Sequence, residues 1–164
     1  MAKKIKKKLK KRNRKIKKKL LELEKTKRTT SLEGPIKRIK IKMDGVGGGG
    51  SSIVSEIFHT IPFFGNRISY VCANTDWPAL KKISPKIFRF NFGRDLTSGL
   101  GTGMNPDLAK IAARKEKAKI SKILEGQDLL ILIASLGGGA GSGAAPVFAK
   151  ISKDLGNLTF GIFT

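Results

Sequence analysis

The stretch "DLLILIASLGGGAGSGAAPV", Asp128 to Val147, decides the reading of this chain. Its first half, Leu129–Ala134, is an unbroken apolar run, as expected of a parallel strand covered on both faces. Its second half places five glycines in the seven positions Gly137–Gly143, then small residues and Pro146. A flexible linker does not follow a buried strand in this way. The segment "AAPVFAKISKDLG" that comes next, Ala144–Gly156, reads as a helix, so the glycines join a strand to a helix. Earlier in the chain "DGVGGGGSS", Asp44–Ser52, repeats the arrangement.

Working outward, "IKRIKIKMDG" (Ile36–Gly45) alternates apolar and charged residues and reads as a strand ending at Gly45. "SSIVSEIFHTI" then reads as a helix with Ser51 or Ser52 as its cap, broken by "PFFGN". "RISYVCA" and "KIFRFNF" read as two further strands, separated by the polar loop "NTDWPAL". "GRDLTSGLGTGMNP" (Gly93–Pro106) is too long and glycine-rich to be a bare connection. Asn105 and Pro106 open a helix that runs to Gly126. "NLTFGIFT" closes the sequence as a strand. Strands alternating with helices in this order predict a doubly wound, mostly parallel α/β sheet. The glycine-rich and long polar loops then fall at the carboxyl ends of the strands, where such sheets bind ligands.

The glycines suggest what that ligand is. A strand-to-helix loop presents the helix's first backbone N–H groups, which lack intrahelical partners, at the positive end of the helix dipole. An anion there is stabilised without lysine, and glycine removes the Cβ that would hold it away. Two such loops, 45–50 and 137–143, predict a polyphosphate held between them. Gly45, Gly47 and Gly50 satisfy G-x-G-x-x-G, and Asp76 stands where a dinucleotide's ribose would be held. The second glycine run argues against a dinucleotide, since such a site has one phosphate loop. G-x-x-x-x-G-K-[ST] does not occur. With no lysine in the loops, Mg²⁺ is expected to share the neutralisation of the phosphates.

Charge divides the chain. Residues 1–42 hold 20 lysines and arginines against 3 acids, a net of +17 out of +22. Residues 1–35 form a low-complexity basic arm, helical or disordered, in which Ile5, Leu9, Ile16, Leu20 and Leu23 make one apolar stripe. So many like charges repel unless an anionic surface relieves them: the arm reads as a solvated, mostly disordered tail with no fixed partner, or as one that binds nucleic acid or the ribosome, or anionic membrane. "EGP" (Glu33–Pro35) marks the boundary with a domain over residues 36–164. One cysteine, Cys72, provides no disulfide framework and reads as a buried small hydrophobe. His59, with no Cys, His or acidic cluster near it, is not expected to bind metal. Cytoplasm is the expected location.

The same residues resemble a known family. "GVGGGGSS", "ANTDWPAL", "GLGTGMNPDL", "LEGQDLLILIASLGGGAGSGAAPV" and "KDLGNLTFGI" are similar, in order and spacing, to successive motifs of FtsZ, the bacterial tubulin-like division GTPase. "GGGAGSG" resembles the signature GGGTG(S/T)G of that family. The resemblance spans Ile39–Thr164 and implies guanine nucleotide (GTP or GDP) with bound Mg²⁺, self-association into filaments, and a role in cell division. By resemblance, Gly48, Gly49, Gly50, Ser51 and Ser52 line the phosphate and ribose side of GTP. Gly139, Ala140, Gly141 and Ser142 hold the phosphates, and Asn74 and Asp76 lie in a neighbouring loop. Thr102, Gly103, Met104 and Asn105 form the loop that senses the γ-phosphate. Asn74, Asp76 and Asn105 read equally as turn or cap residues.

Two departures stand out. Ala140 replaces the usual threonine, and Ser52 the usual asparagine. The segments that in the family grip the base and supply acidic residues to a neighbouring subunit's nucleotide come later than Thr164. The chain therefore reads as an amino-terminal part of a nucleotide-binding domain, with negligible turnover expected from it alone. The competing readings are a non-catalytic module acting through its basic arm and an NAD-type dehydrogenase.

Overall fold

In the computed structural model, the described residues are 38–61 and 68–164. The arm 1–35 and the "PFFGN" break lie outside them. Strands β1 (Ile41–Val46), β2 (Ile68–Asn74), β3 (Phe88–Asn91), β4 (Leu129–Ala134) and β5 (Leu158–Phe163) pair in parallel. Their spatial order is β3-β2-β1-β4-β5. The order reverses between β1 and β4, which defines a topological switch point. This is the doubly wound sheet that the sequence predicts.

Helices cover both faces. On one, α1 (Gly47–Thr60) and the short α2 (Trp77–Lys81) close over Met43, Cys72 and Ile133, with Val54 and Leu80 as their buried side chains. On the other, α4 (Pro106–Lys115), α5 (Lys117–Leu124) and α6 (Gly139–Asp154) close over Val46, Val71, Ala73, Leu130 and Leu132. The period-two alternation of β2 and β4 thus feeds two cores, and their apolar runs are continuous because both faces are buried. Cys72 is fully buried, as a small core hydrophobe. A one-turn helix, α3 (Arg94–Thr97), lies within the long loop after β3.

The structure corrects several boundaries. β1 starts at Ile41, because Lys40 bonds instead to the Asp128 carboxylate through its N–H and to the Asp128 N–H through its carbonyl. The helix expected over residues 107–126 breaks at Glu116, whose carboxylate accepts the Gly93 N–H. The larger correction concerns the glycine runs. α1 begins at Gly47 and α6 at Gly139, so most of both runs is helical rather than loop. Glycine costs about 1 kcal/mol relative to alanine inside a helix, and tertiary packing overrides that preference here.

β1 differs most from expectation. Its alternation suggests a half-exposed strand, yet β1 is central and covered on both faces. Asp44 sits in register between Val71 and Leu132, fully buried, and neither carboxylate oxygen has a hydrogen-bond partner.

Candidate functional site: two helix amino termini at the switch point

α1 and α6 lie on opposite faces of the sheet, but their first turns meet above the carboxyl ends of β1 and β4. The contact is made by backbone. A Cβ on Gly47 would lie 2.7 Å from the Gly141 nitrogen. One on Gly49 would overlap the Ser135 hydroxyl, and one on Gly50 the Ile133 carbonyl. One on Gly141 would overlap the Ser135 carbonyl. Gly47 also has φ +78°, a conformation that side chains oppose. A side chain at Gly47 pushes the two helix ends apart, and one at Gly50 or Gly141 pushes its own helix off the end of β4.

The third loop closes against the same place. A Cβ on Gly139 would overlap the Thr102 hydroxyl and lie 2.8 Å from the Asn105 nitrogen, and one on Gly143 would overlap the Pro106 carbonyl. The long loop is tied in turn to the start of α2, through an isolated bridge between Asp76 and Leu100 and the Trp77 N–H to Gly99 carbonyl bond of 2.8 Å. Gly103 and Met104 both have positive φ, +56° and +64°, and both are exposed; glycine takes this conformation freely, so the loop's strain sits at Met104.

The helix ends are not alike. Asp76 caps α2 by accepting the Ala79 N–H at 2.9 Å, and Asn105 caps α4 by accepting the Leu108 N–H at 3.0 Å. α1 follows Val46 and α6 follows Gly138, neither with a side-chain cap and neither with an acid in its first turn. Their leading N–H groups are the orphan donors of a helix amino terminus, with the dipole's positive end behind them. In chemical terms the seam is an anion cradle built from backbone.

Among the expected site residues, Gly48 and Gly49 of α1's first turn are exposed, while Gly139, Ala140 and Gly141 are buried in that of α6. Ser51 turns inward and donates to the Gly45 carbonyl at 3.1 Å, and Ser52 donates to the Gly48 carbonyl at 3.0 Å. Ser142 accepts the Gly137 N–H at 3.1 Å and so shapes the turn before α6. Asn74 accepts the Thr75 N–H at 2.8 Å and holds the β2–α2 turn. Asn74, Asp76 and Asn105 therefore all carry the turn and cap roles that the sequence also allowed. Four residues beyond those assigned by resemblance belong to the seam or its mouth: Gly47, Gly137 and Gly138, inside the predicted loops 45–50 and 137–143, and Ser135. The repetition of glycine signalled three of them, but nothing in the sequence singles out Ser135.

Beneath the cradle, burial pushes the Asp44 carboxyl up to about 7, with nearby Lys42 opposing. Burial also pushes the Cys72 thiol up to about 12, helped by the Asp44 charge and opposed by the Ser51 side chain. Neither group is exposed to the cradle.

A parallel sheet with reversed strand order and two uncapped, glycine-led helix ends at the reversal defines a nucleotide-binding α/β domain. Residues 40–164 match the Tubulin/FtsZ family, GTPase domain, and the chain belongs to that family. It is 40% identical over 125 residues to the cell division protein FtsZ of Coxiella burnetii, covering 76% of this chain and 31% of that protein. It is 40% identical over 124 residues to FtsZ of Pseudomonas aeruginosa, covering 76% and 30%. Among solved structures it resembles an empty FtsZ dimer from M. jannaschii, at TM-score 0.71 and 30% identity over 90% of this chain and 39% of that one. It also resembles a GTPγS-bound protofilament of CetZ2 from Haloferax volcanii, at TM-score 0.67 and 26% identity over 76% and 39%. The chain thus spans about three-tenths of the length of the curated relatives it matches.

Proposed function

We propose that this chain binds GTP or GDP by its phosphates at the switch point, as part of a cell-division GTPase that self-associates. The observation that carries this reading is the pairing of two uncapped helix amino termini across a seam that admits no Cβ. Gly48 to Ser52 line the phosphate and ribose side, with Ser51 and Ser52 contributing backbone rather than hydroxyl groups. Gly139, Ala140, Gly141 and Ser142 hold the phosphates. Thr102 to Asn105 meet the γ-phosphate, and Asn74 and Asp76 hold the adjoining turn. Mg²⁺ arrives with the nucleotide and supplies charge neutralisation that lysine-free loops do not. No side-chain nucleophile is needed. The N–H groups stabilise charge that develops as water attacks the γ-phosphorus.

The binding test is a titration with GTPγS, GDP and NAD at fixed Mg²⁺. Saturable binding of the guanine nucleotides, with NAD silent, supports the reading, and the reverse preference overturns it. The 164-residue chain alone is expected to release phosphate from GTP negligibly, because the family's acidic catalytic loop acts from a neighbouring subunit. Robust turnover by the purified chain contradicts that expectation. Residues 1–35 are a separate basic arm for an anionic polymer or membrane in the cytoplasm. Their deletion is expected to abolish retention on RNA or on anionic vesicles without changing nucleotide affinity. Among the described residues no helix is long and apolar enough to cross a membrane.

A further inference from the structure

The far end of the sheet carries a second cavity, of about 490 Å³, between α5 and the edge strand β3. Val71, Phe88, Phe90 and Ile123 give it apolar walls, and Lys42 and Lys122 stand over them. Lys42 is the second residue of β1 and Phe88 the first of β3, so this cavity opens near the amino ends of the strands. The phosphate cradle lies at their carboxyl ends.

Its rim is basic, with the buried Asp44 carboxyl as the opposing charge felt by Lys42. The Lys42 ammonium is half-buried and donates to the Ile123 carbonyl in the last turn of α5. Among the described residues it forms no ion pair. Asp44, the next residue on that face of β1, accepts no hydrogen bond from it. A third lysine at the rim, Lys119, is drawn to Glu116 at 2.9 Å, whereas Lys122 is exposed beside the mouth. Phe88 leaves 56% of its surface in water at the same edge. Two ammonium groups above an apolar trough, one of them partly desolvated, complement a molecule with an apolar body and a single anionic head. A polyphosphate does not fit this description, because it has no apolar body to cover Val71, Phe88, Phe90 and Ile123. We propose that this cavity binds an apolar organic monoanion of the medium-chain carboxylate type, independently of the nucleotide.

The probe is decanoate below its aggregation threshold, titrated into the full chain and followed by backbone amide shifts. The expected result is saturable one-site binding, with shifts at Val71, Phe90 and Ile123. Decanol, which lacks the charge, is expected to bind more weakly. Lys122→Glu is expected to weaken decanoate by about tenfold, as for a lost charged hydrogen bond. Lys153→Glu, the same charge change on the exposed surface of α6, is expected to leave it unchanged. Phe88→Ala, at an exposed side chain, weakens both decanoate and decanol. Shifts confined to Leu158–Phe163 or to residues 1–35 overturn the proposal, as does equal loss in the two lysine variants or the absence of saturation. GTPγS leaves the titration unchanged, so failure of the nucleotide reading and failure of this one are separable.

Discussion

The two glycine runs contain two kinds of glycine that only the structure tells apart. Gly45, Gly47, Gly49, Gly50, Gly139, Gly141 and Gly143 lie where a Cβ would collide with the protein itself. Gly48, Gly137 and Gly138 have nothing within 4 Å of that position, and Gly103 in the third loop is equally free. The first set lets two helices on opposite faces of the sheet bring their amino termini together. The second set leaves open the space those termini face. A packed glycine therefore acts on folding, as do Gly137 and Gly103 through their positive φ, whereas Gly48 and Gly138 have only a ligand to answer to. Stability and nucleotide affinity should separate along that line.

The largest expected effect fixes the conditions for such a comparison. Burial holds the Asp44 carboxyl near 7, against an ordinary 3.8. In that interval the folded state keeps a proton that the unfolded state has lost. The contribution is intact below pH 3.8 and is lost progressively as pH rises to 7. The difference corresponds to about 4 kcal/mol. Asp44→Val, in a slot flanked by Val71 and Leu132, is expected to stabilise the protein by up to that amount at pH 8. Near pH 4 the gain should be much smaller. Urea midpoints at both pH values test this, and an equal gain at both would show that Asp44 has a partner in solution. Glycine variants should accordingly be compared at one pH, or in the Asp44→Val background.

Next come the packed glycines. Gly143→Ala and Gly141→Ala drive a methyl into a backbone carbonyl, of Pro106 and Ser135 respectively. Backbone yields less readily than a side chain, and overpacking of this kind costs about 3 kcal/mol. Denaturant unfolding should show that loss. A variant as stable as the parent would mean that the seam is looser than described.

Sequence made the second set visible only in part. The order of strands and helices was legible because an apolar run such as Leu129–Ala134 followed by glycine has few other readings. The helix starts were not legible, since propensity speaks against helical glycine and only contact with a neighbouring backbone outweighs it. The convergence of α1 and α6 depends on strand order, which no local pattern encodes. Asp44 sits beside a glycine in "MDGVGG" and so reads as the end of a strand, although it lies inside the core. Ser51 and Ser52 read as caps for the same reason that the helix start was misplaced. Asn105 was the opposite case: an Asn-Pro pair is a strong local signal, and it does cap α4.

The open glycines sharpen the comparison most directly. Gly48→Ala and Gly138→Ala place a methyl where the protein has room, and neither position has positive φ. Stability should not fall, and Gly48→Ala should gain up to about 1 kcal/mol from helix propensity. Affinity for GTPγS should fall by about tenfold, since the methyl holds phosphate away from the N–H groups and weakens charge-assisted bonds. Calorimetric titration beside thermal unfolding reads both quantities. Loss of stability without loss of affinity would reverse the assignment of the two sets.

The smallest expected effect concerns Ala140, which stands in the first turn of α6 between the packed Gly139 and Gly141. The family's usual residue there carries a hydroxyl. Ala140 is buried and already has a Cβ, so Ala140→Ser adds a single oxygen. A neutral hydrogen bond contributes about 0.5–1.5 kcal/mol. If the hydroxyl reaches phosphate, GTPγS should bind about threefold tighter, with stability unchanged. If it turns back to a carbonyl of its own helix, as Ser52 does toward Gly48, affinity stays level. Pairing Ala140→Ser with Gly138→Ala distinguishes the two cases. A hydroxyl that contacts phosphate loses its benefit once the phosphate is displaced, so the two changes are non-additive. A hydroxyl bonded within the helix leaves the Gly138→Ala effect as it was. Strict additivity together with a gain in affinity would mean that Ala140 acts on the nucleotide from outside the cradle, and that the open space at Gly48 and Gly138 is not where the phosphates lie.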